Sequence, residues 1–332
     1  MVITKIEEIA GKFFTGKFDF ELLETGHINQ TFLVSNKSGV KFILQSLNTH
    51  IFKHPRFVVD NYMTIQPFCH DIVPKLIQTK NGKLFLTIEN NTWRAFEYVE
   101  GTRTIQEIQN EDQAYSGARL FGIFLHKCAI INPEDIAETI PQFHNLNNRI
   151  KKFNTAYKED KLNRGSHIRK LIPVLDKFHF LGNEFQKATE SLPQRVVHND
   201  TKPGNLLFAS ETNEAKKVID LDTVMPGLII TDFGDMVRSF TPGGKEDDPN
   251  PESAEVRRSI YQALTEGFSE SVQTFILPEE KELLTFGAQC IIFEQALRFL
   301  TDFLEGDLYY KTSKENQNLD RGIHQLNILK SV

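Results

Sequence analysis

The chain has 332 residues, 40% of them hydrophobic and 27 of them phenylalanine, enough for one large domain or two lobes with substantial cores. Its formal net charge is −6, with acids and bases interspersed and no polybasic run, which argues against nucleic acid or an anionic membrane as partner. The three cysteines (Cys69, Cys128, Cys290) lie far apart without a C-x-x-C, and no leader or membrane-spanning stretch is expected, so a reducing cytoplasm is the simple reading.

An opening helix is predicted from Ile3, Ile6, Ile9 and Phe13, followed by strands over 18–23, 27–34 and 40–47, and a helix over 57–68. Segments 75–79 and 83–88 flank Asn81-Gly82, a strong hairpin signal, and 92–99 continues the strand pattern until Glu100-Gly101. From there apolar residues recur at three and four, predicting helices over 114–128, 133–156, 168–191, 251–268 and 278–304. Cys128 and Cys290 fall inside these patterns and read as small buried hydrophobes. The expected division is a largely antiparallel lobe of about five strands over 1–100 and a mainly helical lobe over 101–332, an α+β chain with a cleft between its lobes. The longest loop is expected over 241–253, near that cleft.

One island of strand interrupts the helical half. Val196-Val197 and Leu206-Leu207-Phe208 enclose His198-Asn199-Asp200-Thr201-Lys202-Pro203-Gly204-Asn205, and a turn then leads to Lys217-Val218-Ile219 and Asp220. A carboxylate, a lysine two positions on, an asparagine five positions on and a second carboxylate after the next strand suit phosphoryl transfer. That chemistry asks for an oriented nucleophile and cations on the phosphates. Asp200 is the candidate proton acceptor and Lys202 the candidate cation for the moving phosphoryl group. Asn205 and Asp220 are oxygen donors suited to Mg²⁺. The Asp-x-x-x-x-Asn spacing is similar to that of the protein-kinase catalytic loop. Asp232-Phe233-Gly234 spells the kinase metal motif but lies beyond the hairpin, so Asp232 is expected to accept backbone N–H groups of the catalytic loop or to cap the segment from Phe233.

At the other end of the cleft, Gly26, His27, Asn29 and Thr31 stand in the turn between the first two strands, where kinases cover the phosphates. His27 could reach either phosphate or the second substrate. Strand 41–45 should carry a lysine for the α- and β-phosphates. It offers Gln45 at that position and Lys41 four residues off on the same face, and which of them serves is left open. Glu97, Tyr98 and Val99, closing the last strand of the lobe, are the candidate adenine edge.

These residues resemble the aminoglycoside phosphotransferase and choline kinase superfamily, and most of all the bacterial N-acetylhexosamine 1-kinases. The likeness extends through Trp93-Arg94, Glu100-Gly101-Thr102, Asp220-Leu221-Asp222-Thr223-Val224-Met225-Pro226-Gly227 and the run from Arg298 to Asp307, nearly the whole chain. It implies a bilobal protein-kinase-like fold, ATP and Mg²⁺ as cofactors, and phosphorylation of the anomeric hydroxyl of N-acetylglucosamine or N-acetylgalactosamine. The expected partner is thus an amino sugar; a monomer is expected, although nothing in the sequence bears on oligomeric state. The absent strand lysine departs from the wider kinase pattern, and this subgroup shares a glutamine there.

On the last long helix, Glu294, Arg298, Thr301, Asp302 and Glu305 form a charged stripe that either lines the cleft or makes a surface ion-pair ladder. With the resemblance, Arg298, Asp302 and Tyr309 become candidates for the sugar. Other acceptors are choline, ethanolamine, homoserine or an aminoglycoside. Choline would want an aromatic box, an aminoglycoside an acidic pocket. A catalytically silent nucleotide-binding scaffold is the reading from a different class.

Overall fold

The computed structural model describes residues 2–23, 29–89, 91–243 and 254–332. Gly26, His27 and most of the loop expected over 241–253 lie outside them.

Helix α1 (Val2–Ala10) precedes β1 (Asp19–Leu23), β2 (Gln30–Ser35) and β3 (Lys41–Leu47); α2 (Pro55–Cys69) then leads to β4 (Leu76–Ile77), β5 (Leu86–Ile88) and β6 (Asn91–Glu97). They build one antiparallel sheet in the order β1-β2-β3-β6-β4, with β5 also on β6. Residues alternate between its faces. Phe32, Val34, Phe42, Leu44, Trp93 and Ala95 bury one face with Ile6, Ile9 and Phe13. The same alternation brings Thr31, Gln45 and Arg94 into line across three strands on the other face. The Asn81-Gly82 turn forms, with Gly82 at φ 75° and its N–H on the Thr79 carbonyl at 2.9 Å. Its flanking strands do not pair with each other, however; both pair with β6.

The rest is mainly helical. After β7 (Thr102–Arg103) come α3 (Glu111–Cys128), α4 (Leu146–Glu159), α5 (Gly165–Ile168), α6 (Ile172–Phe178) and α7 (Phe180–Ser191). The island of strand is β8 (Arg195–Val197), β9 (Leu206–Ala209), β10 (Ala215–Val218) and β11 (Met225–Gly227). It is followed by α8 (Ile229–Phe240), α9 (Arg258–Val272), α10 (Pro278–Glu282), α11 (Leu284–Glu305) and α12 (Gln317–Ser331). Three expected helices are broken. The one expected over 133–156 is a 3-10 turn at Pro133–Asp135, then irregular chain containing Pro141, and becomes helical only at Leu146, where Asn145 caps the Asn148 N–H. That over 168–191 is divided by a 3-10 turn at Arg169–Leu171 and again at His179, and that over 278–304 is divided at Leu283.

Helices α8 and α11 cross on glycine: a Cβ on Gly234 would stand 2.6 Å from the Gly287 carbonyl oxygen, and one on Gly287 2.3 Å from that of Ile230. Cys128 and Cys290 are buried free thiols, as read, and Cys69 is buried and free as well. Among the described residues, no helix is long and apolar enough to cross a membrane.

Candidate active site

The sheet and the helical half enclose a cleft of about 1110 Å³. Asp200, Lys202, Asn205 and Asp220 all line it, as do Thr31, Gln45 and the Glu97-Tyr98-Val99 edge. The loop after β8 is fixed from behind. Asp232, fully buried in the first turn of α8, accepts the His198 and Asn199 N–H groups at 2.7 Å each, and its own carbonyl accepts the Thr201 hydroxyl at 2.6 Å. Asp232 therefore anchors the loop, and its place inside a helix that starts at Ile229 excludes the capping alternative. Burial pushes its carboxyl up to about 7 against the pull of those two N–H bonds. His198 packs edge-on against Phe121 and Phe124. Its Nδ1 lies 3.3 Å from the Asp200 N–H and its Nε2 3.1 Å from the Ile219 carbonyl, which assigns the ring as neutral with the proton on Nε2. Burial agrees, holding its pKa below the ordinary value.

This bracing carries two non-glycine residues in the left-handed region, Asn199 at φ 63° and Asp220 at φ 61°. Such backbone persists where surrounding bonds over-determine it, and it concentrates at functional sites. Asp200 Oδ2 lies 2.7 Å from both Lys202 Nζ and Asn205 Nδ2, and Asn205 Nδ2 also reaches the Asp200 carbonyl at 2.8 Å. Burial works to raise the Asp200 pKa, yet Lys202, His198 and Asn205 outweigh it and hold the carboxyl at about 2. For Lys202, burial lowers the pKa, but Asp200 and Asp220 reverse that and raise it. Asp220 is pushed up to about 7, first by burial and then by Asp222 and Asp200.

An enclosed carboxylate beside two others is a place for a cation. With Asn205 Nδ2 committed to Asp200, the Asn205 amide oxygen is the atom left to share one. Among the described residues no three His, Cys, Asp or Glu groups could hold a metal by themselves. The donor set of Asn205 and Asp220 thus fits Mg²⁺, which takes one or two protein oxygens and completes its shell with phosphates and water.

Several expected contacts are different in the structure. Asn29 does not line the cleft; its Nδ2 donates to Asp222 Oδ2 at 2.7 Å and its Oδ1 accepts the Asn48 N–H at 3.0 Å, so the amide is spent as a brace between the two halves. Lys41 turns to Glu100 at 3.0 Å and over the Tyr98 ring. Gln45 donates to Thr31 Oγ1 at 3.0 Å and accepts from Arg94. Asp222 is a buried ion-pair partner of Arg94, at 2.5 Å.

Arg298 does line the cleft, donating to Gln295 Oε1 at 3.0 Å, with the rings of Phe143, Tyr309 and Tyr310 each within 5.9 Å of its guanidinium. Tyr309 lines the same mouth. Asp302 does not. Its Oδ1 accepts the N–H groups of Leu308 and Tyr309, its Oδ2 those of Tyr310 and the Asn318 side chain, at 2.8–2.9 Å, and the residue is only 5% exposed. Its role is to hang the Tyr309-Tyr310 loop. The charged stripe of α11 is dismantled in the same way: Glu294 is buried against His144 and Arg149, and α12 covers the Asp302 side. Sequence reading gave no role to Arg94, although a charge inside Thr92-Trp93-Arg94-Ala95-Phe96 was the signal for it.

A sequence model described as the phosphotransferase enzyme family matches residues 19–264. The chain is also similar in fold to solved structures at low identity. One is an aminoglycoside phosphotransferase from Alicyclobacillus acidocaldarius (TM-score 0.67, 11% identity, covering 97% of this chain and 93% of that one). Another is a microcompartment-associated aminopropanol kinase (TM-score 0.63, 16% identity, 98% and 95% covered). A third is an amicoumacin kinase in complex with AMP-PNP and Ca²⁺ (TM-score 0.64, 13% identity, 98% and 92% covered).

Proposed function

The chain belongs to the phosphotransferase enzyme family, and from that premise we propose that it is an ATP-dependent kinase that phosphorylates the anomeric hydroxyl of an N-acetylhexosamine. The observation that carries the kinase reading is the gathering of Asp200, Lys202, Asn205 and Asp220 in one cleft that Glu97, Tyr98 and Val99 also line.

The acceptor is argued from charge. With Tyr309 and Tyr310 the cleft lining includes Arg298, Lys311 and Arg321, and among the described residues no carboxylate of α11 or α12 lines it. A cationic acceptor such as choline or an aminoglycoside would be repelled there. A neutral sugar, rich in hydroxyls with an amide to recognise, suits guanidinium donors and aromatic rings together.

In the reaction, Asp200 accepts a hydrogen bond from the acceptor hydroxyl and turns it toward the phosphorus. A carboxylate held below its ordinary range by Lys202 is a weak base, so orientation is its main contribution, and the proton passes to it late, as the new P–O bond forms and ADP departs. The anomeric hydroxyl, more acidic than an ordinary alcohol, suits so weak a base. Lys202 meets the negative charge of the phosphoryl oxygens. Asn205 and Asp220 would hold Mg²⁺, which when bound neutralises charge on the nucleotide phosphates. The test is ADP release by purified protein with Mg-ATP and a panel of alcohols. Release with N-acetylglucosamine or N-acetylgalactosamine is expected. Release only with choline, an amino alcohol or an aminoglycoside would discard the sugar and keep the kinase, and release with no alcohol would discard both.

A further inference from the structure

Gln45, at the β3 position where a kinase lysine would meet the α- and β-phosphates, carries no charge, and Lys41 is turned to Glu100. The cation that reaches this part of the cleft comes from the neighbouring strand. Arg94 stands directly opposite Gln45 in the β3–β6 register and lines the cleft. Its side chain is 1% exposed, and two of its three nitrogens are fixed. Nε and Nη2 donate to Gln45 Oε1 at 3.0 and 2.6 Å, and Nη2 also donates to Asp222 Oδ1 at 2.5 Å. The guanidinium rests on the Phe96 ring, 4.9 Å from its centroid. The third nitrogen, Nη1, is buried with no hydrogen-bond partner among the described residues. A buried donor left without an acceptor is destabilising, and a planar guanidinium is the group best shaped to receive a phosphate oxygen. Arg94 shares the cleft lining with Asn205 and Asp220, and it also acts electrostatically on Asp220.

We infer that Arg94 is the nucleotide-phosphate ligand of this protein, a cation supplied from β6 in place of the β3 lysine, with Gln45 and Asp222 aiming its free edge at the α- and β-phosphates. The inference rests on the nucleotide-kinase reading above. It explains how a strand without a lysine can still serve a triphosphate. Gln45 becomes the positioning residue, its amide tying Arg94 to Thr31.

Calorimetric titration of adenosine, AMP and ADP into wild type, Arg94→Met and Arg94→Lys, all with Mg²⁺, tests it. Wild type should bind ADP much more tightly than adenosine. In Arg94→Met, ADP affinity should fall roughly 10- to 100-fold, the range of a charge-assisted hydrogen bond, while adenosine affinity stays within about threefold. Arg94→Lys can still pair with Asp222 but lacks the spare N–H edge, so it too should lose ADP affinity selectively, and it decides the matter if Arg94→Met fails to fold. Full retention of ADP affinity in Arg94→Lys, or an equal loss for adenosine and ADP in either variant, would reduce Arg94 to a brace between the two halves and overturn the inference. Wild type that binds neither nucleoside nor nucleotide would instead sink the kinase reading itself.

Discussion

Asp302→Ala separates the acceptor pocket from the chemistry. The carboxylate receives three backbone N–H groups, from Leu308, Tyr309 and Tyr310, and the Asn318 amide, all at 2.8–2.9 Å. Hydrogen bonds to a charged acceptor contribute about 1.5–3 kcal/mol each when both partners are buried. Leu308 and Tyr309 are 82% and 57% exposed, so water takes over their N–H groups once the carboxylate is gone, and the net loss there is smaller. Allowing somewhat under 1 kcal/mol per bond gives roughly 3 kcal/mol, about a hundredfold in the balance between the ordered and open loop. Because the loop carries Tyr309 and Tyr310 against Arg298, the apparent KM for the sugar should rise by up to about 100-fold. The KM for ATP should stay within about threefold, since none of the groups that Asp302 holds belongs to the proposed adenine edge, Glu97-Tyr98-Val99. Asp302→Asn, which keeps part of the acceptor set, should fall between. Initial rates of ADP release, with one substrate varied at saturating levels of the other, give both constants. A parallel rise in the two, or no rise in either, would refute the assignment of Asp302 as the support of the acceptor loop.

Asp200→Asn should lower turnover by roughly 10²–10⁴, with nucleotide affinity measured by calorimetry nearly unchanged; near-full activity would remove Asp200 from its role. Gly287→Ala forces a methyl to within 2.3 Å of the Ile230 carbonyl oxygen, so urea denaturation should show a loss of about 1–3 kcal/mol or more, and an unchanged midpoint would contradict the close helix crossing. His198 makes a contribution that depends on pH. Its pKa is lowered by burial, so the unfolded chain takes up a proton first as pH falls below 6.5, and stability should decline by up to about 1.4 kcal/mol per pH unit below that point. His198→Gln should be less stable at every pH but should lack that slope; identical slopes would mean that the ring titrates freely in the folded protein.

What the sequence revealed divides by range. Asp200, Lys202 and Asn205 span six positions of one loop, and Asp220 follows by a single hairpin, so local spacing was enough to bring them together. The Arg94–Asp222 pair joins residues 128 apart and depends on the register of β3 against β6, which no local pattern encodes. Helical periodicity put Asp302 on a stripe with Arg298, but it could not know that α12 would pack there, supply Asn318 and take Asp302 out of the cleft. Periodicity also ran through Pro141 and Leu283, because apolar spacing survives a helix break that the hydrogen-bond ladder does not. The Asp232 anchor was legible for the opposite reason. A carboxylate in an apolar segment just beyond the loop has few partners besides the backbone N–H groups beside it.

The Arg94–Asp222 bridge also limits how the molecule can breathe during turnover. Separating one member of a buried ion pair from the other costs about 3–5 kcal/mol, and Asn29 adds a second tie to the same carboxylate. The seam beneath the β-sheet is therefore tied at two points. The Tyr309 loop is exposed at Leu308 and Tyr309 and is held by Asp302 and Asn318, so opening it would cost those bonds and leave the Arg94–Asp222 pair intact.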